Sequence, residues 1–159
     1  MALGGLAGVG ATFLMQAMLQ ASGKLLPAAQ PPIKQDPGEF MVDQLTGLLP
    51  EGTQVPKQVS AAAAKSMHLG YGMTPGVLYG AIRSRGGSPI IDGTLLGLGI
   101  WAAGYLGWLP ATGLMAPLSE QRPEQIALPV IEHAIFGIAL AAAFEGLMLG
   151  RDETYSRSD

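Results

Sequence analysis

The chain has 159 residues, nine Lys or Arg, twelve Asp or Glu and a net charge of −3, but these charges are distributed very unevenly. Met1–Gly23, Ser66–Ile82 and Gly93–Ser119 contain no charged residue, and 125–150 contains two glutamates. About 20 mostly apolar helical residues cross a bilayer core. The pattern excludes an ordinary soluble domain and a disordered or collagenous chain. The lack of a basic cluster excludes a nucleic-acid partner, and the absence of cysteine excludes disulfides and a thiolate metal site.

We therefore predict an all-α fold in which 1–159 is a single membrane domain. Its predicted architecture is a four-transmembrane-helix bundle with spans over about 2–21, 59–82, 91–108 and 126–149. The first apolar segment has no Lys or Arg before it, so we expect a retained span rather than a signal peptide.

A short amphipathic helix is predicted inside the long first loop. Asp36-Pro37-Gly38-Glu39 has the order of an N-cap, a proline at the first helical position and a returning glutamate. The apolar residues from Phe40 to Leu49 then follow at helical spacing and stop at Pro50. Such a helix lies on the membrane surface or caps the bundle, and the sequence leaves both alternatives open.

The Lys and Arg residues of the short connections predict the orientation. Arg83 and Arg85 follow the second span, Arg151 and Arg157 follow the fourth, and only Arg122 lies between the third and fourth. Short loops rich in Lys and Arg face the cytoplasm. Both termini are therefore predicted to be cytoplasmic, with the first loop on the outer side.

The second and fourth spans share the pattern His-x-x-aromatic-Gly, and the first and third are both rich in glycine. His68 to Gly72 matches His133 to Gly137, while Gly4 to Gly10 matches Gly93 to Gly99. The pattern predicts two pseudo-symmetric helix-hairpin repeats related by an axis along the membrane normal. Small residues at this spacing let membrane helices approach closely. The expected packing positions are Gly4, Gly8, Gly72, Gly76, Gly93, Gly97, Gly137 and Ala141.

These motifs resemble the YagU-like family of small bacterial inner-membrane proteins. The resemblance rests on the glycine-rich first and third spans, on His-x-x-aromatic in the second span and on Glu132-His133-x-x-Phe136 in the fourth. It implies a multi-pass protein of the bacterial inner membrane. The family has no established biochemical activity and only a loose link to acid tolerance, so it supplies no catalytic residue.

Polar residues inside membrane spans are candidates for function. Gln16, His68, Tyr105 and His133 are predicted to form one polar layer in the leaflet of the first loop. This layer is a hydrogen-bond network between helices, a site for haem b or a quinone, a proton-linked pair of histidines, or a weak metal site joined by Glu132. The sequence favours the first alternative, with no cofactor and no metal.

The leading functional prediction is a non-enzymatic membrane protein that works by helix packing. Its partners are expected to be membrane lipids and either a second copy or other integral membrane subunits, which makes it an accessory or structural subunit. The rival prediction is an electron-transfer subunit that binds haem or quinone through His68 and His133, and a proton-linked role in acid tolerance ranks third. The sequence contains no nucleophile-base set and no pair of catalytic carboxylates.

Overall fold

A computed structural model describes residues 1–50, 53–83 and 87–156, with only the backbone of His68 and of 152–156. Within these residues the regular secondary structure is helical, apart from one isolated β-bridge. The main helices are α1 (Ala2–Leu25), α2 (Pro37–Thr46), α3 (Lys57–Ile82), α4 (Pro89–Ala111) and α5 (Pro123–Ser156). Short 3-10 turns lie at Pro27–Ala29 and Leu118–Glu120. The predicted all-α class is confirmed.

Three helices in the described part of the chain are long and apolar enough to cross a membrane. They are α1, α4 and the Pro123–Arg151 part of α5. The remaining long helix, α3, has 26 residues, but its lysines, glycines, tyrosines and Pro75 make it less apolar than the others. The membrane class predicted from the sequence is therefore supported, whereas the count of four spans is not confirmed.

The helix predicted in the first loop is present as α2, and its start follows from local chemistry. The carboxylate of Asp36 accepts hydrogen bonds from the backbone N–H groups of Gly38 at 2.8 Å and Glu39 at 3.1 Å, and Pro37 occupies the first turn. These contacts satisfy backbone donors that a helix N-terminus leaves free. α2 packs against α3 through Gly38, whose position for a Cβ lies 2.8 Å from the carbonyl oxygen of Ala64. It therefore lies on the bundle.

The long helices pack in the spatial order α3, α1, α5, α4, and each runs antiparallel to its neighbour. α1 contacts both α3 and α5, while α4 rests mainly on α5. The apolar core lies where α1, α3 and α5 meet and is filled by small and aromatic side chains: Ala7, Ala11, Tyr79, Phe136, Leu140, Ala141 and Phe144. Large apolar side chains such as Phe13 and Leu95 point outward, as expected for helices in lipid.

The two ends of the bundle are closed by different contacts. At one end, the start of α1, the connection from α3 to α4 and the late part of α5 come together. At the opposite end, the first loop meets the connection from α4 to α5, where Ile33 forms a β-bridge with Met115 and the ammonium of Lys34 donates to the carbonyl oxygen of Gly113 at 2.8 Å. Gly113 has a φ of 71°, a conformation that favours glycine. We call these the terminal end and the loop end.

Near the loop end, α4 widens into a π-helical turn at Ala103–Trp108. The backbone N–H of Leu109 bonds to the carbonyl oxygen of Gly104, five residues back. Pro110 explains this change, because it has no N–H to offer the carbonyl of Leu106 and its ring clashes with that carbonyl in a regular α-helix. Gly107 absorbs the distortion with a φ of −103° and a ψ of −107°.

Candidate functional site: an interhelical cavity

The predicted glycines of α1 and α3 lie where these two helices touch. A Cβ atom on Gly4 would overlap the carbonyl oxygen of Gly76, and one on Gly8 would lie 2.7 Å from the carbonyl oxygen of Gly72. A Cβ on Gly72 would overlap the hydroxyl of Thr12. Because any side chain at these positions needs the space that the other helix fills, the two backbones are in direct contact.

α4 and α5 make the same kind of contact. A Cβ on Gly93 would lie 2.5 Å from the carbonyl oxygen of Gly137, and one on Gly97 would overlap the carbonyl oxygen of His133. In the first pair Gly4 faces Gly76, and the sequence match pairs Gly4 with Gly93 and Gly76 with Ala141, so an exact repeat would place Ala141 opposite Gly93. Gly93 instead faces Gly137, one helical turn away from Ala141. The predicted repeat is therefore not confirmed.

Between the four long helices, towards the loop end, lies a cavity of about 600 Å³. We call it the interhelical cavity. Pro75 and Ile100 are among the apolar residues of its deep part, and Gln30, Lys34 and Asp36 of the first loop line its outer part. Its volume is typical of small-molecule sites, which are mostly apolar with a few placed polar groups.

The π-helical turn brings Tyr105 to this cavity, where its ring meets that of His133 edge to face with centroids 5.6 Å apart. Nδ1 of His133 lies 2.8 Å from the carbonyl oxygen of Pro129. A carbonyl only accepts, so in the neutral ring this contact puts the proton on Nδ1 and leaves Nε2 as an acceptor. Within the described residues neither Nε2 of His133 nor the hydroxyl of Tyr105 has a hydrogen-bond partner.

The other members of the predicted polar layer are placed differently. Gln16 is half-buried on α1, while Thr12, Met15 and Leu19 of the same helix line the cavity. The backbone of residue 68 belongs to α3, but the side chain of His68 lies outside the described residues. The structure therefore brings Tyr105 and His133 together, and the histidine pair and its haem alternative stay predictions. Among the described side chains, no group of three His, Asp or Glu is arranged to hold a metal ion.

Glu132 is buried beside this site and was not predicted to pair as it does. Its carboxylate accepts a hydrogen bond of 2.7 Å from the hydroxyl of Ser22, and the residue is 5% exposed. The partner is 110 positions away, so no local pattern in the sequence indicates it. This contact fastens the end of α1 to α5 at the level of the cavity.

A second polar cluster lies at the terminal end. Arg83 forms ion pairs with Asp92 and with Glu145, the latter at 2.7 Å, and donates to the carbonyl oxygen of Gly87 at 2.7 Å. The side chain of Arg83 is only 7% exposed. The hydrogen bond to Glu145 raises the pKa of Arg83 above its ordinary value, so the guanidinium stays charged. The cluster ties α3, α4 and α5 together; Arg85 and Arg157 lie outside the described residues.

No family model, curated protein or solved structure matches the chain. The resemblance to the YagU-like family therefore stays a prediction.

Proposed function

We propose that the chain is a non-enzymatic, multi-pass membrane protein that binds a small apolar molecule in the interhelical cavity. The observation that carries this proposal is the π-helical turn of α4, which directs Tyr105 and Trp108 to a cavity of about 600 Å³ between the helices. Such turns cost regular hydrogen bonding and occur frequently at functional sites. The resemblance to the YagU-like family supports a location in the bacterial inner membrane, and the arginines of the short connections support cytoplasmic termini.

In this proposal α3 is a fourth span. Its 26 residues run antiparallel to α1, with Gly72 and Gly76 against the backbone of that helix. Because α3 packs along α1, an α1 that crosses the membrane places α3 across the same thickness. The lower apolarity of α3 fits its partly covered position, because α1 covers one side and α2 covers part of another.

The glycines named for packing contact other helices of the same chain. Ala141, named with them, is fully buried in the apolar core. Association with another subunit stays a prediction, whereas ligand binding has a specific cavity to support it.

The proposal can be tested by filling the cavity. A Cβ on Gly104 would lie 3.8 Å from Leu109 and 4.0 Å from the Tyr71 hydroxyl, so a side chain fits at its base and extends towards the cavity. Gly104→Phe should yield folded protein that no longer retains its ligand during purification in mild detergent. Gly99→Phe is the matched control, because Gly99 is exposed on the same helix with no described atom within 4 Å.

The measurement is mass spectrometry of the small molecules extracted from equal amounts of the purified proteins. We expect one species to be present with the unchanged chain and with Gly99→Phe, and depleted at least tenfold with Gly104→Phe. Equal ligand content in all three proteins would contradict the proposal.

A further inference from the structure

The polar groups of the interhelical cavity restrict the chemistry of its ligand, provided that the proposed function holds. Tyr105 offers a hydroxyl donor, His133 offers Nε2 as an acceptor, and Nε2 of Gln30 is buried without a partner among the described residues. Tyr105 and His133 line the cavity, and a ligand site places a few polar groups to orient its ligand, so their unpaired hydroxyl and Nε2 fit a ligand that carries oxygen atoms. The side chain of Gln30 lies nearer the loop end, and Tyr105 and His133 lie deeper.

The charged side chains of Lys34 and Asp36, which line the cavity, already have hydrogen-bond partners. The ammonium of Lys34 donates to Gly113, and the carboxylate of Asp36 caps α2. These contacts hold the first loop in place over the cavity. A charged headgroup would have to compete for them, whereas a neutral ligand leaves them intact and uses the free hydroxyl of Tyr105 and the free Nε2 of His133.

The aromatic side chains that line the cavity favour a ligand with a flat ring. Tyr71, Tyr105, Trp108 and Phe136 approach the cavity from three helices, and Trp101 stacks on the outer side of Tyr105 with ring centroids 6.1 Å apart. Aromatic rings hold another ring by stacking and edge contacts. α3 and α4 contact each other little, and the exposed side chain of Tyr71 reaches from α3 towards Gly104 of α4 at this level.

We infer that the cavity binds a lipid quinone. One ring oxygen accepts from the hydroxyl of Tyr105, and in the reduced quinol form the ring hydroxyl donates to Nε2 of His133. The ring lies among the aromatic side chains, and its apolar tail leaves between α3 and α4 past Tyr71. This inference concerns binding and assigns no electron transfer to the chain.

The test uses the two tryptophans of the chain as reporters, because Trp108 lines the cavity and Trp101 stacks on Tyr105. The purified protein in mild detergent is titrated with a decyl-substituted benzoquinone, which quenches tryptophan fluorescence. Decylbenzene, which has the same tail and no oxygen, is then added as a competitor. The variants are Tyr105→Phe, which removes one hydroxyl and keeps the ring contacts, and Gly104→Phe with its control Gly99→Phe.

We expect saturable quenching in the unchanged chain and in Gly99→Phe, about fivefold weaker binding in Tyr105→Phe, and no saturable quenching in Gly104→Phe. Decylbenzene should compete at least tenfold more weakly than the quinone. Equal binding of the two compounds, with no effect of Tyr105→Phe, would overturn the quinone inference and leave a general apolar site. Absence of saturable quenching would overturn it too, and the extracted-ligand measurement then decides the proposed function separately.

Discussion

Replacing Gly137 by alanine tests whether direct backbone contact holds α4 and α5 together. A Cβ at this position would overlap the carbonyl oxygen of Gly93 and lie 2.7 Å from the backbone nitrogen of Gly97. Both atoms belong to the backbone of a helix and cannot rotate away. The added methyl group therefore has to push the two helices apart.

Two other glycines of the same chain provide graded comparisons. A Cβ on Gly72 would overlap the hydroxyl of Thr12, a side chain that can change rotamer at the cost of its 2.8 Å hydrogen bond to Gly8. Gly70 has no described atom within 4 Å of its Cβ position and is exposed. The three substitutions share the same gain in intrinsic helix propensity, about 1 kcal/mol. Differences between their free energies of unfolding therefore reflect the contacts that the added methyl group makes.

The expected loss in free energy of unfolding depends on whether the added methyl group meets a backbone atom or a side-chain atom. Separating two packed helices by about 1 Å forfeits a quarter to a half of each dispersion contact between them, and lipid offers no hydrophobic compensation. We expect Gly137→Ala to lower the free energy of unfolding by about 3 kcal/mol, at the upper end of overpacking costs. Gly72→Ala should cost about 1 kcal/mol, and Gly70→Ala should be neutral or stabilising by up to about 1 kcal/mol.

The assay is reversible unfolding in mixed micelles, followed by circular dichroism as the denaturing detergent is increased. The double variant Thr12→Ala/Gly72→Ala should recover about 1 kcal/mol relative to the sum of its single variants, since the obstructing hydroxyl is gone. Equal stability of Gly137→Ala and Gly70→Ala, within 0.5 kcal/mol as roughly expected for a surface change, would refute the backbone-contact argument.

Three further predictions concern the polar contacts and the orientation. Ser22→Ala leaves the carboxylate of Glu132 buried without its donor and should cost about 1–3 kcal/mol in the same assay, whereas Ser66→Ala, which removes only an exposed bond within α3, should cost less than about 0.5 kcal/mol. Arg83→Leu should lower stability in the same assay, by less than the loss of one partner from a fully buried ion pair, because the side chains of Asp92 and Glu145 are 35% and 36% exposed. In intact cells an impermeant thiol reagent should label Thr53→Cys and not Ser84→Cys, and the reverse pattern would show that the termini face outward.

The sequence predicted the helices well where the signal is local or compositional. The cap at Asp36 fixed the start of α2, and the uncharged segments located all four long helices. The predicted spans are shorter than the helices: 91–108 against Pro89–Ala111, and 126–149 against Pro123–Ser156. Hydropathy marks where apolar residues stop, whereas backbone hydrogen bonding continues until a cap or a proline ends the helix.

The contacts that define the site depend on residues far apart in sequence. Ser22 is 110 positions from Glu132, so pairing them requires the spatial order of the helices. The first loop supplies Gln30 and Lys34 to the cavity, although its composition indicates only a polar connection. The π-helical turn did have a local signal, since Gly107 and Pro110 stand close together near the end of an apolar run.

That proline accounts for the position of the cavity. The early part of α4 lies flush against α5 through Gly93 and Gly97, and a regular helix would continue this contact towards the loop end. Pro110 prevents the regular continuation, because the carbonyl of Leu106 loses its usual donor. The widened turn then carries Tyr105 to His133 and Trp108 to the cavity. α1 and α3 are α-helical throughout and contain no such turn, so the widening of α4 is what places the free hydroxyl of Tyr105 beside the imidazole of His133 in the wall of the cavity.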